Sequence, residues 1–73
     1  MKRPALRNAV AHYRRAALFL THAETCDALR RAAAAFAEAG MDQAAARCAD
    51  LRRQVEAGGL DDLPPVTSVT ALG

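Results

Sequence analysis

Alanine accounts for 19 of the 38 apolar residues in this 73-residue chain, and this feature most limits what the chain can fold into. Alanine has the highest helix propensity, but its single methyl group removes little area from water when it is buried. The chain has no Trp or Ile and three aromatic residues. We therefore expect one small all-α domain with closely packed helices and a thin core. A second copy or another protein would supply the missing apolar area, so the composition predicts self-association as a homodimer or binding to a protein partner, and a monomer of low stability is the alternative.

The first predicted helix spans residues 4–20. Pro4 suits a first helical turn, where its missing N–H costs nothing. Apolar residues then recur at spacings of four and three, which places them on one helical face. They are Leu6, Val10, Tyr13, Ala17 and Leu20, and Ala9 and Ala16 widen this face. Leu18 and Phe19 lie off this face, which indicates a buried corner or a self-association surface.

A second helix is predicted over residues 21–39. Thr21 followed three residues later by Glu24 matches a capping box, in which each side chain bonds the other residue's backbone N–H. A break at Thr21 lets the apolar stripes before and after it face one core. The alternative is one straight helix of about 35 residues, whose two halves would face roughly 160° apart at about 100° per residue.

Gly40 predicts a tight turn into a third helix over residues 42–57, because glycine adopts the left-handed conformation at a helix end without strain. Asp42 is expected to cap that helix. The larger core residues of this hairpin are Leu29, Phe36, Cys48, Leu51 and Val55. The expected fold is a small three-helix bundle, or a helical hairpin with an extra N-terminal helix, over residues 1–59.

Residues 60–73 form the predicted flexible tail. Pro64 and Pro65 argue against a helix, and helical periodicity is lost. The β-branched residues of the stretch VTSVTAL would also suit a strand added to a partner's sheet edge.

Positive charge is concentrated at the start of the chain. The first 20 residues hold five basic residues and no acid, although the formal net charge is only +2. The arginines form a basic flank beside the apolar face of the first helix. They are Arg3, Arg7, Arg14 and Arg15. We expect this flank to bind an acidic surface of another protein. Three alternatives stay open: a solvated face without a partner, binding to an anionic membrane surface, and a nucleic-acid-binding accessory protein whose arginines contact phosphates.

His22 and Cys26 are spaced i, i+4, which is suitable for two metal ligands on one helical face. With His12 and Cys48 a zinc site can be constructed. In a hairpin that turns at residues 40–41, however, Cys48 lies roughly 10 Å along the axis from Cys26. That offset argues against a disulfide as well. We interpret both cysteines as small core residues, and a metal-dependent dimer through His22 and Cys26 is the alternative.

The chain carries no recognisable catalytic machinery. It has no nucleophile elbow, no glycine-rich phosphate loop and no paired carboxylates in an apolar setting. No apolar run approaches the ~20 residues that cross a bilayer, and AALFL at 16–20 is too short for a signal peptide. We expect a cytoplasmic, non-enzymatic protein-interaction module without a cofactor, acting as a small adaptor or inhibitor.

Residues 26–57 resemble a single tetratricopeptide unit. That family's pattern places a large residue, two small residues and an aromatic residue in the first helix, a glycine at its end and a small residue in the second helix. The matching residues are Leu29, Ala32, Ala33, Phe36, Gly40 and Ala45. Ala49 and Ala57 depart from it, since an aromatic residue and a proline are usual there. The resemblance implies a protein-binding scaffold, and such units normally occur in arrays of three or more.

Overall fold

The computed structural model describes residues 3–72, without the side chain of Arg3. It contains four helices in this range: α1 Arg3–Ala16, α2 His22–Glu38, α3 Asp42–Glu56 and α4 Val66–Thr70. Helices α1 and α3 both pack against α2, and the short α4 contacts α1 and α3. The all-α prediction is therefore confirmed, with three substantial helices that pack against one another. The radius of gyration, 10.9 Å, is that of a folded domain of this length, about 11 Å.

Helix α1 ends at Ala16, four residues earlier than predicted. A turn follows, and Phe19 has a φ of 51°, a left-handed conformation that is unusual without glycine. The chain thus breaks before Thr21, and the single long helix is wrong. Thr21 Oγ1 accepts a hydrogen bond from Glu24 N at 3.0 Å, as in a capping box. The Glu24 carboxylate lies 3.8 Å from Arg15 instead of completing the box.

The turn between α2 and α3 forms as predicted. Gly40 has a φ of 79°, and its N–H donates to Ala37 O at 3.0 Å while the N–H of Met41 donates to Phe36 O at 2.8 Å. These two bonds form a Schellman motif, which satisfies the last carbonyls of α2. The predicted cap by Asp42 is wrong, because Met41 is the N-cap residue and makes no side-chain cap bond. Asp42 instead lies in the first turn, where its charge still favours the helix end.

The core lies where α1 and α3 face α2. Its largest fully buried side chains include Tyr13, Leu29, Phe36 and Leu51. On α1 the buried residues are Ala9, Tyr13 and Ala16, so the core lies at the alanine edge of the predicted face, whereas Leu6, Ala17 and Leu20 of the same face are exposed. The small alanine side chains face α2 and allow close approach of the two helices.

The C-terminal segment differs most from the sequence prediction. Leu63 is buried and Val69 is completely buried, both in the same core as α1, α2 and α3. The hydroxyl of Tyr13 donates to Pro64 O at 2.7 Å and joins this segment to α1. Pro65 precedes α4 as its N-cap residue, where a fixed φ and a missing N–H do not interrupt the helix. In the structure residues 66–70 are helical rather than a strand.

Candidate protein-binding surface

Arg7 and Arg14 form the basic face of α1. They are seven residues apart, so they lie on the same side of the helix, about 10.5 Å apart along its axis. Both side chains are exposed. Arg3 lies one turn before Arg7, but its side chain is outside the described part of the chain. Within the described residues, no carboxylate lies within salt-bridge distance of Arg7 or Arg14.

The arginines of α2 are paired with a carboxylate of their own helix. Asp27 accepts from Arg30 at 2.6 Å and from Arg31 at 2.8 Å. The hydrogen bonds from Arg31 and Arg30 lower the pKa of the Asp27 carboxyl below its ordinary value. The positive charge of α2 is therefore largely compensated within the helix.

Helix α3 shows the same compensation. Asp50 accepts from Arg47 at 3.2 Å and from Arg53 at 3.1 Å. Arg52 lies 3.9 Å from Glu56. Each exposed pair adds little stability, but together they neutralise the arginines of α3. The positive charge that no carboxylate of the described residues compensates is thus concentrated on α1.

A shallow groove of about 320 Å³ lies between α1 and α2. Its lining residues are His12, Arg15, Glu24, Asp27, Ala28 and Arg31. Arg15 is 3.8 Å from Glu24, and Arg31 is 2.8 Å from Asp27, so its positive and negative side chains compensate one another. The groove offers a ligand no excess charge, and we do not assign it as the binding surface.

Exposed leucines adjoin the end of α1. Leu18 and Leu20 are each 61% exposed, and Leu6 near the helix start is 37% exposed. Phe19 between the two loop leucines is partly buried against the core. The positive φ of Phe19 turns the chain so that the aromatic ring packs inward while its neighbours point outward. The loop therefore presents apolar side chains beside the basic helix.

The predicted packing residues divide into core and surface positions. Five of them are buried in the core: Tyr13, Leu29, Phe36, Leu51 and Val55. Val10 and Phe19 are half-buried, whereas Leu6 and Leu18 are exposed. The structure therefore leaves only the exposed members free for contact with another molecule.

His22 and Cys26 lie together at the start of α2. The Cys26 Sγ is 3.8 Å from His22 Nε2, and Cys26 is partly exposed. Cys48 is buried and carries a free thiol whose pKa burial raises to about 11. Burial also raises the pKa of the Cys26 thiol. Among residues 3–72 no three His, Cys, Asp or Glu side chains are grouped to hold a metal ion, and His12 lines the α1–α2 groove instead.

The i, i+4 spacing of Arg52 and Glu56 predicts the ion pair that the structure shows at 3.9 Å. Sequence reasoning missed the pairs that Asp27 and Asp50 form, although their signal is present. Asp27 precedes Arg31 by four residues, and Asp50 precedes Arg53 by three, which are the spacings at which helical side chains meet. The first helix contains no acid and cannot form such pairs. The bond from Tyr13 to Pro64 has no comparable signal, because it joins residues 51 positions apart.

Comparison with known proteins gives no relative: no family model, no curated protein and no solved structure matches the chain. Within the described residues, no helix has the length and apolar character needed to cross a membrane.

Proposed function

We propose that this chain is a non-enzymatic protein-binding module whose α1 contacts an acidic segment of another protein. The observation that carries the proposal is the charge of Arg7 and Arg14, which no carboxylate of the described chain neutralises. A carboxylate-bearing partner would supply the missing charge, and the exposed Leu18 and Leu20 would supply apolar contacts beside it. Small adaptors and inhibitors act in this way, by occupying a surface of a larger protein.

The spacing of the two arginines suggests the geometry of the partner. A helix with glutamates seven residues apart would place two carboxylates about 10.5 Å apart along its axis, which matches Arg7 and Arg14. Exposed charge pairs contribute about 0.2–1 kcal/mol each. Two pairs would therefore change the affinity by a factor of about 2 to 30.

The test compares two double variants with the same loss of charge. Arg7→Gln with Arg14→Gln removes the unpaired arginines, and Arg30→Gln with Arg53→Gln removes arginines that are already paired. Fluorescence anisotropy measures binding to a helical peptide with glutamates seven residues apart, at low and moderate salt. We expect the first double variant to bind about 2- to 30-fold more weakly and the control variant to bind like the unmodified chain.

An equal loss in both double variants would show that only total charge matters, and would refute a specific α1 surface. A single-stranded oligonucleotide serves as the competing probe. If it binds more tightly than the peptide, with a steep salt dependence that the α1 variant reduces, the chain is a nucleic-acid-binding accessory protein instead.

Self-association is also part of the proposal. The C-terminal segment supplies some of the apolar area that the alanine-rich helices lack, so the thin core alone does not require a second copy. The exposed Leu6, Leu18 and Leu20 support self-association instead. Light scattering over a range of concentrations checks it. We expect the unmodified chain to have the mass of two chains, and the double variant Leu18→Ser with Leu20→Ser to have the mass of one. A mass of one chain at every concentration of the unmodified chain would refute self-association.

A further inference from the structure

We propose that His22 and Cys26 form one half of a zinc site, which is completed by the same two residues of a second copy of the chain. This site is separate from the α1 surface and does not depend on its function. It would give the chain a second binding property, in which a metal ion holds two copies together.

The distance between the two side chains fits this role. In tetrahedral zinc sites the Zn–S distance is about 2.3 Å and the Zn–N distance about 2.0–2.1 Å, so S and N lie about 3.6 Å apart. The observed distance from Cys26 Sγ to His22 Nε2 is 3.8 Å. The separation of the two ligand atoms thus matches that of a tetrahedral site to within about 0.2 Å.

The pair is also accessible and locally fixed. His22 is exposed and Cys26 is partly exposed, so a metal ion and a second chain have access to both. The Thr21 cap fixes the first turn of α2, since Thr21 Oγ1 accepts from Glu24 N and the hydroxyl of Thr25 donates to Thr21 O at 2.8 Å. The ligands thus project from an ordered helical turn.

The charges around Cys26 do not exclude a cation. Arg52 and Glu56 at the end of α3 both act on the Cys26 thiol, with opposite sign. The carboxyl end of α3 carries the negative end of its helix dipole, which favours a positive ion, and thereby offsets the positive dipole end of α2, where His22 lies.

Two ligands do not complete a zinc site, and this requires the second copy. No third metal-binding side chain joins His22 and Cys26 among the described residues. Structural zinc takes four ligands, so two copies would form a Cys₂His₂ site. On binding, each Cys26 thiol loses its proton to the solvent and forms a Zn–S bond, and the two thiolates balance the charge of Zn²⁺.

The experiment uses the full-length, untagged and reduced chain, freed of metal. Titration with Co²⁺ is followed by the thiolate-to-cobalt charge-transfer band and by the visible bands of tetrahedral Co²⁺. We expect both to saturate at one Co²⁺ per two chains. With Zn²⁺, light scattering should report two chains per particle, and chelation should reverse any doubling of mass.

Variants identify the ligands. Cys26→Ser should abolish the charge-transfer band, and His22→Ala should weaken Co²⁺ binding by at least about tenfold. His12→Ala is the matched control for histidine and should bind like the unmodified chain. In the unmodified chain, Zn²⁺ should protect the Cys26 thiol from alkylation, as read by mass spectrometry, and leave the slow reaction of Cys48 unchanged.

Three results would overturn the proposal: no charge-transfer band in the unmodified chain, a band that persists in Cys26→Ser, or saturation at one Co²⁺ per chain. The chain could already be dimeric without metal. Uptake of one Co²⁺ per two chains would then still support the proposal, because the stoichiometry shows that two copies share one metal ion.

Discussion

Substitution of Val69 tests whether the C-terminal segment belongs to the fold. Val69 is completely buried, so Val69→Ala removes two methyl groups from the core. At about 0.8 kcal/mol for each, the transfer loss is about 1.6 kcal/mol. A cavity adds to this loss, and the better helix propensity of alanine offsets part of it. We expect the free energy of unfolding to fall by about 2 kcal/mol.

This loss is large for a chain of this size. A stability of about 0.05–0.15 kcal/mol per residue gives about 4–11 kcal/mol in total. A loss of 2 kcal/mol lowers the midpoint of thermal unfolding by about 8–16 °C. Urea and thermal unfolding, both followed by circular dichroism, measure the two quantities.

Thr67→Ala is the matched control for Val69→Ala. Thr67 is on the same helix, has the same branched shape as valine and is exposed. Its replacement should therefore change stability by no more than about 0.5 kcal/mol. If both variants unfold at the same urea concentration as the unmodified chain, α4 does not contribute to the core in solution, and residues 60–73 are the flexible tail that the sequence predicts.

Two further predictions concern single hydrogen bonds. Burial raises the pKa of Tyr13, the only tyrosine, to about 12. The tyrosine of the unfolded chain ionises near 10. The stability that the neutral, buried phenol contributes is therefore complete below pH 10 and is lost as the pH rises through 12. Tyr13→Phe should remove this pH dependence and lower the free energy of unfolding by about 1 kcal/mol through loss of the hydrogen bond to Pro64. Absorbance titration of the phenolate measures the pKa, and urea unfolding at several pH values measures the stability. Ionisation of Tyr13 near pH 10 in the folded chain would contradict its burial. Thr21→Ala should lower the free energy of unfolding, measured with urea, by about 1 kcal/mol through loss of the α2 cap. Thr21→Ser keeps a hydroxyl and should retain most of the stability that the cap provides. An equal loss of stability in the two variants would show that the hydroxyl is not the cap.

The helical hairpin was predictable because its signals are local. Gly40 marks the end of α2, and the apolar stripe of α2 continues without interruption to Phe36. Both features depend on residues within a few positions of one another, where helix geometry is regular. The end of α1 was harder to predict, because Phe19 adopts a positive φ without being glycine. The apolar Leu18, Phe19 and Leu20 extended the helical pattern beyond the real end.

Helix α4 was not predictable, because its position depends on distant contacts. A five-residue helix has no periodicity to detect, and isolated helices of this length are unstable. Val69 is buried because α4 contacts α1 and α3, and Tyr13 holds Pro64 from 51 residues away. Pro64 and Pro65 predict the absence of a helix, whereas Pro65 directly precedes α4 as its N-cap residue, where proline is tolerated.

The α1 surface and the His22–Cys26 pair depend on the tertiary structure to different degrees. Helix α1 holds no acid, so its arginines cannot pair within the helix as those of α2 and α3 do. Arg7 and Arg14 are therefore unpaired as long as α1 is a helix and α2 supplies no carboxylate to them. Glu24 of α2 lies beside Arg15 instead. The metal pair needs more, because α2 must begin at His22, after the Thr21 cap, and Cys26 must stay partly exposed. The Thr21→Ala variant connects the two, since loss of the cap should weaken Co²⁺ binding and leave binding to the acidic peptide unchanged.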